Sequence, residues 1–169
     1  MHGILPLMDF ESPSPNNSQQ TATKATQILD KKPDFRILQK DQRKELVKAF
    51  ISTGKVVYGR AFDVIRISGK EAGGLVLDSE ADFLKHIERI TLYEVKSTRR
   101  DLDEHFDGYF FGLTTAELLV AQTLGDQYRF MLVNTKTEAE LDLSLQDLLA
   151  RANKIYPVWN ISLQRPQSH

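Results

Sequence analysis

The segment Leu92-Tyr-Glu-Val-Lys-Ser-Thr98 constrains this chain more than any other. It is apolar, β-branched and aromatic, the composition of a strand, yet it carries a carboxylate and an amine two residues apart. Side chains alternate along a strand, so Glu94 and Lys96 share one face while Tyr93 and Val95 take the other. A charge inside an apolar strand is costly unless it is paired. Earlier in the chain, Arg60-Ala-Phe-Asp63-Val-Ile-Arg-Ile67 puts a second carboxylate at the opening of another apolar run. A lone Glu-x-Lys is a weak signal. Its weight here comes from the apolar strand around it, the Asp on a preceding strand and a basic helix before both. Asp30-Lys-Lys32 has none of these.

The surrounding pattern alternates helix and strand. Leu46, Val47, Phe50 and Ile51 form an apolar stripe over 41–52, with Asp41 able to cap and Gly54 to stop the helix. Short strands are expected over 56–58, 62–67 and 75–77, with a glycine-rich turn at 68–74. Ser79-Glu-Ala-Asp82 opens a second helix with Phe83, Leu84, Ile87 and Ile90 on one side. After the strand over 91–97, residues 99–110 read as a charged and aromatic loop. Thr114-Thr-Ala-Glu117 opens a helix that Gly125 stops, and Glu117 fits a capping box with Thr114. A buried strand over 128–133, a helix over 144–153 and a last strand over 157–163 complete the chain. This order predicts an α/β sandwich around a mixed sheet.

Residues 11–27 are poor in apolar side chains and rich in Ser, Thr, Asn, Gln and Pro, so 1–33 is expected to be a mobile, disordered arm. Residues 34–165 then form one domain, which suits a chain of 169 residues. No run approaches the roughly 18 apolar residues of a spanning helix, so no membrane is expected. The first residues lack a basic segment and a long apolar run, so no secretory signal is expected, and an intracellular protein is. The absence of cysteine excludes disulfides, thiolate zinc sites and cysteine nucleophiles. His86 and His105 lack metal-ligand spacing, and Ser68-Gly-Lys-Glu lacks the glycine spacing of a phosphate loop.

Net charge is −1, but it is unevenly spread. Residues 31–100 hold 16 Lys and Arg against 10 Asp and Glu, and residues 101–150 hold 2 against 10. The basic half carries Asp63, Glu94 and Lys96, which suits an anionic ligand. Arg60, Arg99, Arg100 and Lys55, with Lys44 and Lys48, are placed to contact phosphates. Hydrolysing a phosphodiester needs a nucleophilic water, neutralised phosphoryl oxygens and a stabilised leaving oxygen. Mg²⁺ serves all three and binds through one or two carboxylates plus waters and substrate oxygens. Asp63 and Glu94 supply the carboxylates, the Val95 carbonyl a further oxygen, and Lys96 a charge beside the reacting water.

The order helix, strand with Asp63, strand with Glu94-Val-Lys96, helix, strand resembles the PD-(D/E)xK nuclease superfamily. The likeness spans roughly residues 40–135, through Phe111-Gly-Leu-Thr-Thr-Ala-Glu-Leu and Tyr128-Arg-Phe-Met-Leu-Val. Among small members, the Glu-Val-Lys-Ser-Thr strand is most similar to the NO VEIN C-terminal type. The resemblance implies the restriction-endonuclease-like fold, with an αβββαβ core. It also implies Mg²⁺-dependent cleavage of DNA, with Mn²⁺ as a substitute, by Asp63, Glu94 and Lys96. Such families often add an acid from the first helix, where Glu45 is the candidate. Phe62 stands where the motif has proline, and the gap from Asp63 to Glu94 implies an inserted helix over 80–90. A homodimer would give two sites for two strands. The alternative is a catalytically silent nuclease-like subunit that binds nucleic acid or another protein.

Overall fold

The computed structural model describes residues 15–156. The strand expected over 157–163 and the first part of the expected arm lie outside the described residues. Five strands form one mixed sheet in the order β1-β2-β3-β4-β5. They are β1 (Phe35–Arg36), β2 (Val64–Ile67), β3 (Ile90–Thr98), β4 (Tyr128–Asn134) and β5 (Glu140–Leu143). β1, β2 and β3 run antiparallel in turn, with Val64 opposite Tyr93 and Ile67 opposite Ile90. β3 and β4 run parallel, with Glu94 opposite Phe130 and Lys96 opposite Leu132. A parallel pair needs a crossover, and α4 (Thr115–Leu124) lies between them in sequence. β5 closes the far edge antiparallel to β4.

Helices cover both faces. On one side α2 (Lys40–Ser52), α3 (Glu80–His86) and α4 enclose the larger core, with Leu46, Phe50, Phe62, Ile65, Phe83, Leu92, Val120 and Phe130 at its centre. Ser79 and Thr114 each cap their helix in a reciprocal capping box, as their spacing predicts. α5 (Leu145–Arg151) adds Leu145 and Leu148 at the margin of this core. No described helix is long and apolar enough to cross a membrane.

On the other side lies α1 (Pro15–Asp30), which corrects the expected mobile arm over that span. Average composition hid a short stripe. Ala25, Ile28 and Leu29 fall at helical spacing and pack on Phe35, Val64, Tyr93, Val95, Met131 and Val133. Lys24 donates to the Thr135 carbonyl at 2.7 Å, which ties the helix to the end of β4.

Two of the short strands expected from sequence are not strands. Residues 56–58 and 75–77 are irregular and bury one side chain each, Val57 and Leu77, while Val56, Tyr58 and Val76 are exposed. An apolar triplet with one buried member anchors a loop. It does not need a ladder, and β1 already occupies that edge of the sheet. Sequence also missed β1 and β5, which are short and flanked by charge.

Candidate functional site

The site forms where β2 parts from β3. In regular register the Val95 N–H would bond the Phe62 carbonyl, two residue pairs beyond Val64 and Tyr93. Instead it donates to Asp63 Oδ2 at 2.8 Å, while the Asp63 N–H donates to the Tyr93 carbonyl at 2.8 Å. A side-chain carboxylate thus replaces a ladder carbonyl, and the two strands diverge at Asp63.

Arg43 of α2 holds the departing chain. Its guanidinium donates to the carbonyls of Gly59 at 3.0 Å, Phe62 at 2.5 Å and Asp63 at 3.0 Å, and lies 4.4 Å from the centre of the Phe62 ring. Burial lowers its pKa, and the charges of Asp63 and Glu94 push back. Tyr128 donates from below to the carbonyl of Ala61. The segment before Asp63 is therefore fixed by α2 and by the first residue of β4.

Glu94 shares one face of β3 with Leu92 and Lys96, and the Asp63 carboxylate comes close enough for its charge to act on Glu94. Lys96 donates to Glu94 Oε1 at 2.7 Å and to Glu117 Oε2 at 3.0 Å. All three side chains are nearly withdrawn from solvent, at 13% for Lys96, 10% for Glu94 and 7% for Glu117. Glu117 also accepts the Thr114 N–H at 2.9 Å, so one carboxylate serves as helix cap and counter-ion. The Val95 carbonyl points to the same edge as its N–H, toward the gap that β2 leaves.

The electrostatics follow from three acids and two cations in a small, dry volume. Burial, then the nearby charge of Asp63, pushes the Glu94 carboxyl up to about 8, against the pull of Lys96. Burial also raises Asp63, with the Val95 N–H, Lys96 and Arg43 opposing. For Lys96, burial is the largest single influence and acts downward, but Glu94 and Glu117 together outweigh it and its pKa rises. Tyr128 is raised by burial and then by Glu94, Glu117 and Asp63.

The structure brings Asp63, Glu94, Lys96 and the Val95 backbone together. It does not bring Glu45 to them: this carboxylate pairs with Lys48 at 2.6 Å and bonds backbone at Glu80, the start of α3. Arg60, Arg99 and Arg100 are exposed, the last two just past the end of β3. Lys55 is tied to Gln127, whose amide bonds the carbonyls of Ile87 and Ile90. That is the opposite end of β3 from Arg99, on the order of 26 Å along the strand, so these cations do not form one patch. Sequence reasoning missed Arg43, a plain helix arginine until the fold aims it, and gave Glu117 only its capping role. Thr114-x-x-Glu117 signals that cap, but no local pattern reveals the contact with Lys96.

The donor set is hard oxygen, which suits Mg²⁺ or Mn²⁺. Asp63 and Glu94 each keep one carboxylate oxygen not engaged by the bonds above, with the Val95 carbonyl beside them. Among the described residues, no three His, Cys, Asp or Glu side chains gather as a metal-holding group. A cation here would therefore rely on two acids, a carbonyl and water. No protein-family model, no curated protein and no solved structure matches the chain.

Proposed function

We propose that this protein is a metal-dependent deoxyribonuclease, an endonuclease that hydrolyses phosphodiester bonds, with Asp63, Glu94 and Lys96 as its catalytic residues. The observation that carries this reading is the gap between β2 and β3. A buried carboxylate, Glu94, and a half-buried one, Asp63, lie close enough there to repel each other, beside the ammonium that Glu94 holds and a carbonyl on the same edge. Two acids that repel each other in a dry site accept a divalent cation readily, because the cation relieves both the repulsion and the burial. Asp63, Glu94 and the Val95 carbonyl would hold Mg²⁺, which supplies a water of lowered pKa and neutralises phosphoryl charge. Lys96 follows Val95 directly on the same strand, where its charge orients the attacking water and stabilises the transition state. Exposed Arg60, Arg99 and Arg100 would contact the DNA backbone, which positions a duplex without reading its sequence. The setting is restriction, mobile-element defence or repair, inside the cell. A double-strand cut calls for two sites and so for a homodimer.

Supercoiled plasmid tests this. With Mg²⁺ or Mn²⁺ the protein nicks it, and Lys96→Ala abolishes nicking while circular dichroism reports an intact fold. Undiminished cleavage by the variant would sink the assignment.

A second reading has its own support. Lys96 is already satisfied by Glu94 and Glu117, an arrangement that needs no ligand. A catalytically silent nuclease-like subunit, binding nucleic acid or another protein, would keep such a cluster for structure alone. DNA binding that ignores Mn²⁺, in a chain with no calorimetric Mn²⁺ site, selects this alternative.

A further inference from the structure

The Lys96 ammonium lies between two carboxylates that are held very differently. Glu117 is in the first turn of α4, where the helix N-terminus favours negative charge. Its Oε2 accepts from the Thr114 N–H at 2.9 Å as well as from Lys96 at 3.0 Å, and its own N–H donates to the Thr114 hydroxyl at 3.2 Å. Asp63 is likewise pinned, by the Val95 N–H. Glu94 differs: among the described residues, its carboxylate accepts from Lys96 and from no other donor. Of the three acids, Glu94 is the one that can change partner at least cost.

Resting on the nuclease reading above, we propose that Glu117 is a positioning residue that retains the Lys96 ammonium when Glu94 turns to a divalent cation. The amine now occupies Glu94 Oε1 and so competes with a cation for that carboxylate. Glu117 offers it a second seat within hydrogen-bond range. The amine then gives up Glu94 without leaving the site, and its charge stays beside the reacting centre. A cap residue that only ended a helix would have no such bearing on cation affinity.

Calorimetric titration of the full chain with Mn²⁺ tests this, using Glu117→Gln. Glutamine keeps an oxygen for the Thr114 N–H, so the cap survives, but it loses the charge that holds Lys96. The parent is expected to bind Mn²⁺ at a site that needs Asp63 and Glu94. Glu117→Gln is expected to bind about tenfold more weakly, and that loss should shrink to about twofold in a Lys96→Met background, where no amine competes. Equal affinity of variant and parent overturns the proposal. So does the same loss with and without Lys96, which would make Glu117 a distant charge only. A parent with no Mn²⁺ site overturns the nuclease reading itself, a result distinct from both. The parent also carries a test that needs no variant: the ¹⁵N-detected Lys96 ammonium should stay protected from solvent exchange when Mg²⁺ saturates the site. An ammonium that becomes freely exchanging overturns the retention.

Discussion

β3 presents two chemistries to its two sides. Tyr93 and Val95 face α1, in a cluster of Ala25, Leu29, Phe35, Val64, Met131 and Val133, with the Phe35 and Tyr93 rings 5.2 Å apart. The Tyr93 hydroxyl there donates to Asp142 at 3.0 Å. Leu92, Glu94 and Lys96 face α2 and α4, and that side turns from apolar to charged within two residues. The first face is held by burial, which does not depend on pH. The second is held by mutual charge in a dry setting, which does. The charged side is confined to the place where β2 leaves the ladder. The sheet thus supplies rigidity and the gap supplies chemistry, and one strand serves both.

The two faces of β3 differ most at Lys96. Lys96→Ala leaves Glu94 and Glu117 buried without their cation, and such a loss costs about 3–5 kcal/mol. Urea unfolding at pH 8 should report that figure, and a smaller one at pH 6, where Glu94 takes a proton. Leu29→Ala empties part of the face under α1 and should cost about 3 kcal/mol, the same at both pH values. A Lys96→Ala penalty indifferent to pH would mean that the two faces are stabilised alike.

Much of this division was legible in the sequence, and its limits are instructive. Alternation along Leu92–Thr98 assigned the two faces correctly, because a two-residue period has no other outcome in a half-buried strand. The Ser79 and Thr114 caps were readable because they are local. α1 was not, since Ala25, Ile28 and Leu29 are diluted by polar neighbours and gain their helix from the sheet they cover. The Arg43 clasp and the second partner of Lys96 join residues 16 to 21 positions apart. Only the fold brings them together.

A smaller effect sharpens the contrast through pH itself. An unfolded glutamate ionises near 4.3, while Glu94 in the fold is held at about 8. Between those values the folded state binds more protons than the unfolded one, so stability falls as pH rises and levels off above 8. The upward shift of Asp63 acts in the same direction. The slope is at most about 1.4 kcal/mol per pH unit for one proton. Glu94→Gln should flatten it, and should be more stable than the parent at pH 8. In the parent, Mn²⁺ should raise the melting temperature more at pH 8 than at pH 6, because the ionised acids are its ligands. A slope that survives in Glu94→Gln would move the titration to another group.

The smallest expected effect lies on α2. Glu45 and Arg43 are two residues apart, roughly 200° around a helix, so they cannot face the same neighbour. Arg43 is spent on the carbonyls of Gly59, Phe62 and Asp63, and Glu45 on Lys48 and the start of α3. Glu45→Gln should therefore leave plasmid nicking and Mn²⁺ affinity unchanged. A fall in either would require α2 to turn Glu45 toward Glu94. The same rotation would carry Arg43 off the 59–63 segment, and the gap that exposes Asp63 depends on that clasp. An acid from this helix and the arginine that shapes the site exclude each other, and the Arg43 contacts decide between them.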